Sequence, residues 1–197
     1  GTFVYEVGQV RSHILAQASV GDTRNFNAPP LNSEAPSLTV RTAAAPSAEL
    51  AAAALAGNDT IAGALNGGQV WGLGEFGTGE QFFDWTEATI GYTFDLADAA
   101  STNLWLGLLD STLPAGSSGN FHFAVAGEGT TLFERDFIGS EFLDFFDDRA
   151  FDLGDLSTLV GSDGLLDIGV SFSGYVDDID FLIGQAGSDV LASAVSA

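Results

Sequence analysis

The sequence predicts an all-β fold, an antiparallel β-sandwich of jelly-roll type with one short Ala-rich helix. Three observations predict it. Apolar residues alternate strictly with polar ones in several segments. That marks half-buried antiparallel strands, not the continuous apolar runs of a parallel sheet. Glycine and aspartate punctuate these segments at short intervals, as turns require. Aromatic residues crowd into the later part of the chain: 14 of the 16 phenylalanines and all three tryptophans follow residue 70. The core is therefore expected over residues 69–186. Residues 1–68 would supply a strand, a proline-containing loop and the helix, and residues 187–197 a tail. A chain of 197 residues, 46% hydrophobic, buries about 70% of its unfolded surface. Such a core needs no staples.

The elements follow in order. Thr2-Phe-Val-Tyr-Glu-Val-Gly-Gln-Val-Arg11 is rich in strand formers. Val4, Glu6, Gly8 and Val10 would share one face, and Phe3, Tyr5 and Gln9 the other. Asn25 to Ser37 holds Pro29, Pro30 and Pro36 and reads as an extended loop. Ser37 to Thr42 reads as a short strand. Pro46 to Gly57 is the helix: alanine gives it propensity, Glu49 sits in the first turn and Gly57 ends it. Leu50 and Leu55 are its only large anchors, so it should lie on a sheet as a connector; a helix this short is marginal alone. Strands are expected at Gln69 to Leu73, Thr86 to Leu96, Asn103 to Leu109, Phe121 to Ala126, Thr130 to Phe137, Leu165 to Ser173 and Ile179 to Ile183. Ile90, Tyr92, Phe94 and Leu96 share a face, as do Phe121, Phe123 and Val125, and Leu166, Ile168, Val170 and Phe172. Gly139 to Leu156 breaks this pattern. Phe142, Leu143, Phe145 and Phe146 recur at helical spacing, so a helical turn is expected there.

Composition excludes several functions. With 27 acidic residues, five basic ones and no lysine, the formal net charge is -22. Nucleic acid and anionic lipid both need clustered Lys and Arg, so neither is an expected partner. The absence of cysteine rules out disulfides, thiolate catalysis and zinc knuckles. No apolar run approaches the ~18 residues of a membrane span. Divalent cations, calcium above all, are the natural small partners; the acidity equally suits solubility or a salty medium. The chain starts at Gly1 and contains no methionine. An exported, processed chain fits that, and so does a trimmed one.

The blocks Trp85-Thr-Glu-Ala-Thr-Ile-Gly-Tyr-Thr-Phe, Leu104-Trp-Leu-Gly-Leu-Leu-Asp and Phe121-His-Phe-Ala-Val-Ala-Gly-Glu-Gly are followed by Phe145-Phe-Asp-Asp-Arg-Ala-Phe-Asp-Leu-Gly, Leu166-Asp-Ile-Gly-Val-Ser-Phe-Ser and Asp178-Ile-Asp-Phe-Leu-Ile-Gly. In this order they resemble exported bacterial surface proteins of the PEP-CTERM-associated kind. The resemblance spans residues 69–184. It implies export and a surface or matrix setting, and it brings no catalytic residues. The family's Pro-Glu-Pro motif, apolar span and basic residues are not found in Gly187 to Ala197.

Several residues are candidates for chemistry. Ten aspartates lie between Asp144 and Asp180. Calcium takes six to eight oxygen ligands, many of them from loop aspartates. The pairs Asp147–Asp148 and Asp177–Asp178 would share one ion if the fold joined them. Solvated or capping loop aspartates are the alternative. One of Asp178 and Asp180 is expected to point inward, with Arg149 as the carboxylates' natural partner. Of the two histidines, His122 should face away from Phe121 and Phe123. No G-x-S-x-G elbow is present, so no hydrolase triad is expected. Trp71 and Trp85, near Glu87, resemble a sugar-binding face, where rings stack and carboxylates accept hydroxyl protons; core aromatics are the alternative. Asn58-Asp-Thr60 matches a glycosylation sequon. Residues 1 to about 20 form a segment that can complete a neighbour's sheet, with Phe3, Val4, Tyr5 and Val10 as contacts. Pairing within the chain is the alternative.

The expected function is non-enzymatic: a secreted surface or matrix subunit that assembles with copies of itself, fibre-like, by N-terminal strand exchange. The alternative is a calcium-dependent carbohydrate-binding module that takes extracellular polysaccharide.

Overall fold

The computed structural model describes residues 14–19, 39–44, 46–77, 86–97, 101–109 and 116–187. Its elements are β1 (Ile14–Ser19), β2 (Thr39–Ala44), α1 (Ala48–Leu55), α2 (Asp59–Leu65), β3 (Gln69–Gly77), β4 (Thr86–Asp95) and β5 (Asn103–Leu108). They continue with β6 (Gly119–Gly127), β7 (Thr130–Gly139), α3 (Glu141–Phe145), β8 (Arg149–Asp155), β9 (Leu165–Tyr175) and β10 (Ile179–Gln185). Four antiparallel pairings nest inside one another: β6 with β7, β5 with β8, β4 with β9 and β3 with β10. That is one long hairpin. It is rolled so that β10 also pairs with β5, and β9 with β6. The result is a double-sheet jelly roll. β1 and β2 widen the sheets to five strands each, ordered β1-β4-β9-β6-β7 and β2-β3-β10-β5-β8.

The alternating segments bury the expected faces. Ile90, Tyr92, Phe94 and Leu96, then Phe121, Phe123 and Val125, then Leu166, Ile168, Val170 and Phe172 all lie inside the sandwich. The second sheet is covered on both faces. From β10, Ile179, Phe181 and Ile183 point into the sandwich, while Leu182 packs outward with Ile61, Leu65, Val70 and Leu109. That outer layer is anchored by α2, which the sequence reading does not foresee. Its only large apolar residues, Ile61 and Leu65, are one turn apart and both buried. α1 buries no residue, and its expected anchor Leu50 is 38% exposed.

Two glycines on β3 admit aromatic rings. A β-bulge at Trp71 shifts the register against β10, so Ile183 faces Gly72 and Gly184 faces Val70. A Cβ on Gly74 would sit 2.2 Å from the Phe181 ring, and one on Gly72 would sit 2.7 Å from the Tyr92 ring. Tyr92 is fully buried. Its hydroxyl donates to the Leu73 carbonyl (2.7 Å) and accepts from the Thr42 hydroxyl (2.9 Å). Burial pushes this phenol well above the ordinary tyrosine range, against the weaker pull of Thr42.

Other expectations need correction. The helical turn forms as α3, but Gly139 to Leu156 also holds β8. This edge strand buries little and is interrupted by a bulge at Leu153, so it shows no clean alternation. β1 pairs with β4 of the same chain over Ile14–Ser19. Removing residues 1–20 would therefore take a strand from the domain's own sheet. Phe3, Val4, Tyr5 and Val10 lie outside the described residues.

Candidate functional site

The tryptophan platform does not form as expected. Trp71 is fully buried, with its ring edge-on to Phe94 at 4.9 Å. A ring with no exposed face cannot stack on a sugar. It turns inward because the bulge places it between the sheets. Trp85 lies outside the described residues. Glu87 sits on β4 opposite Ser173 of β9.

The four aspartates are not brought to one point. Asp148 precedes β8 and Asp178 precedes β10, with β5 between these strands. Asp148 is also engaged elsewhere: its carboxylate accepts from the backbone N–H groups of Thr60 (2.8 Å) and Ile61 (2.9 Å), capping α2 from a distant loop. Asp147 and Asp178 are exposed. Among the described residues, no group of three or more His, Asp or Glu side chains is arranged to hold a metal.

Desolvation is the largest single influence on Asp148 and opposes its ionisation, but the Thr60 and Ile61 amides and the Thr60 side chain together outweigh it and hold the carboxyl below the usual range. Asp148→Ala should therefore cost about 1 kcal/mol at neutral pH, the ordinary value of a helix cap. A depressed folded pKa stabilises above the unfolded value of about 3.9 and ceases to as pH falls through the folded value. The gap between the two proteins should be constant from pH 7 to about 5 and close below about pH 4. Urea unfolding across that range checks this; a gap that persists at low pH would contradict it.

Three smaller expectations also change. Neither Asp178 nor Asp180 enters the core; Ile179 and Phe181 do. Arg149 binds no carboxylate among the described residues. Its Nε donates to the Asp144 carbonyl (3.0 Å), and its guanidinium lies over the Phe145 ring. Asn58 of the sequon is buried, and its amide donates to the Ala54 carbonyl.

Two surface features remain. The first is a cleft of about 570 Å³ between α1 and the second sheet. Alanines and Leu50 of α1 form one wall, Leu73 and Leu109 part of the other, and Glu75 and Asp180 its acidic end. These two acids are direct cross-strand partners. The second is the β7 edge of the first sheet. β7 pairs with β6 on one side and, among the described residues, has no strand on the other. Its register is unbroken from Phe133 to Gly139. Glu134, Arg135, Asp136 and Ile138 are exposed, Ile138 by 70%. His122, facing out as expected, pairs with Asp136 across the ladder at 2.8 Å. Glu141 takes the Ile138 N–H (2.9 Å) and closes one end of the edge. The other edges suit an added strand less well. β8 is bulged at Leu153, leaving a shorter unbroken run than the seven residues of β7 beyond its own bulge at Leu132, while β1 and β2 have six residues each.

No protein-family model, curated protein or solved structure matches the chain. Among the described residues, no helix is long and apolar enough to cross a membrane.

Proposed function

We propose that the chain is a non-enzymatic structural subunit of a cell surface or extracellular matrix. It assembles head to tail by lending residues 2–11 to the β7 edge of a second copy. The observation that carries this reading is the placing of β1 and β7 at opposite edges of one sheet. Ile14, where β1 begins, and Thr130, where β7 begins, lie near the same end of that sheet. They are four strand spacings apart, about 19 Å. Three Cα steps from Arg11 to Ile14 cover at most about 11 Å. A chain's own segment therefore cannot lie along its own β7 with Arg11 beside Thr130; a second copy's can. Because donor and acceptor differ, the contact is heterologous and repeats from copy to copy, giving a filament unless the rotation between copies closes a ring.

Charge supports the choice of donor. Residues 1–45 hold three acids (Glu6, Asp22, Glu34) and three arginines (Arg11, Arg24, Arg41), so the whole net charge of -22 falls on residues 46–197. The donor is the part least repelled by another copy. Cations, calcium included, act by screening rather than at a built site.

The test removes residues 1–12 and spares β1. Sedimentation and electron microscopy in moderate salt should show filaments of the intact chain and folded monomers of the shortened one. Filaments from the shortened chain, or monomers from both, would overturn the reading. A second reading, saccharide binding, rests on the cleft, where Glu75 and Asp180 would accept hydroxyl protons. Titration calorimetry with soluble polysaccharides distinguishes it.

A further inference from the structure

Only two arginines fall in the strongly acidic part of the chain, Arg135 and Arg149. Both are exposed, and both stack on one ring. The Arg135 guanidinium carbon lies 3.9 Å from the centre of Phe145, and that of Arg149 lies 4.7 Å from it. Arg135 also lies 5.4 Å from the centre of Phe137. Among the described residues neither forms an ion pair, although the chain carries 27 acids. Stacking fixes a guanidinium while leaving its N–H edge able to donate to a carboxylate. Phe145 is itself held against Phe137 (5.4 Å) and Phe151 (5.8 Å). The result is a pair of guanidinium groups braced on one ring beside the β7 edge.

We propose that Arg135, braced beside Arg149 on Phe145, receives the Glu6 carboxylate of a second copy and so sets the register of the added strand. The inference rests on the assembly reading above. Glu6 is the only acid among residues 1–20. Setting it opposite Arg135 in an antiparallel ladder places Val4 opposite Phe137, Tyr5 opposite Asp136 and Phe3 opposite Ile138. Gly8 then falls opposite Phe133, where the unbroken part of β7 begins. Ile138, the most exposed large apolar side chain described, gains an aromatic cover. The ladder's hydrogen bonds stop short of the Ile138 N–H, which Glu141 occupies. Other registers set Glu6 against Glu134 or Asp136, where like charges repel, or against no basic residue at all.

The test is a charge-reversal cycle on the full chain: Arg135→Glu, Glu6→Arg and both together. Circular dichroism melting verifies that each folds, and Arg135→Gln repeats the test without introducing an acid. Each single reversal should raise the critical concentration for assembly about tenfold or more, the scale of losing a charge-assisted contact. The double reversal should restore most of it. Arg149→Glu should have a smaller effect in the same direction. If Arg135→Glu assembles like the intact chain, the inference fails and the assembly reading stands. If the single variants fail but the double variant does not recover, Arg135 binds some other anion, an acidic polysaccharide among them, and the inference again fails. If the intact chain does not assemble, the reading beneath it fails first.

Discussion

Phe121→Ala is expected to destabilise the domain by about 3–5 kcal/mol, the range for emptying a buried aromatic site. Phe121 is the hub of the aromatic core. Its ring stacks on Phe137 at 4.9 Å, meets Phe142 edge-on at 5.7 Å, and lies 5.5 Å from Phe172 and 6.2 Å from Phe146. These neighbours come from β7, α3, β9 and the turn after α3. Each is fixed by its own strand, helix or helix cap, so the walls cannot collapse onto the space left. A loss of this size would be a large share of the stability of a typical domain. The effect should also reach the β7 edge. Phe121 supports Phe137, Phe137 supports Phe145, and Arg135 rests on both Phe137 and Phe145. Urea unfolding with an unchanged slope and a lowered midpoint is the expected record. A loss below about 1 kcal/mol would mean that the rings repack and do not form a rigid cluster.

The fold was legible where one physical rule acted alone. Strict alternation in β4, β6 and β9 identified the strands and their buried faces, because each has one face in the sandwich and one toward solvent. The rule weakened in the other sheet. β5 and β10 are covered on both sides, so Leu182 and Trp105 interrupt the pattern without leaving the strand. It failed at β8, whose residues are half-buried at a bulged edge, and at α2. There two apolar residues and a cap from Asp148, far along the chain, do what local propensity does not.

The sites were less legible, because each depends on which residues the topology joins. Trp71 read equally as a platform or as core, and one bulge decided for the core. Asp148 read as an ion ligand, yet its partners are amides 88 and 87 positions earlier. Arg149 seemed destined for an aspartate and instead shares a phenylalanine with Arg135. The signal for that pair was present as scarcity: two arginines among so many acids. Scarcity alone did not say that one ring would hold both.

The second large effect is all-or-none. The chain contains no cysteine, so any disulfide reports only what is introduced. In the proposed register Tyr5 of one copy faces Asp136 of the next, within the 4.4–6.8 Å Cα separation a disulfide needs. Tyr5→Cys and Asp136→Cys chains, prepared separately and mixed under mild oxidation, should give a mixed covalent dimer. Either variant alone should give little. Both changes in one chain should give a ladder of covalent oligomers, because residues 2–11 cannot lie along their own β7 in that register. This double variant, run on a non-reducing gel, tests head-to-tail strand exchange most directly. A ladder that vanishes on adding reductant is the result the account predicts. A cross-linked monomer, or no cross-link at concentrations where the chain assembles, would contradict it.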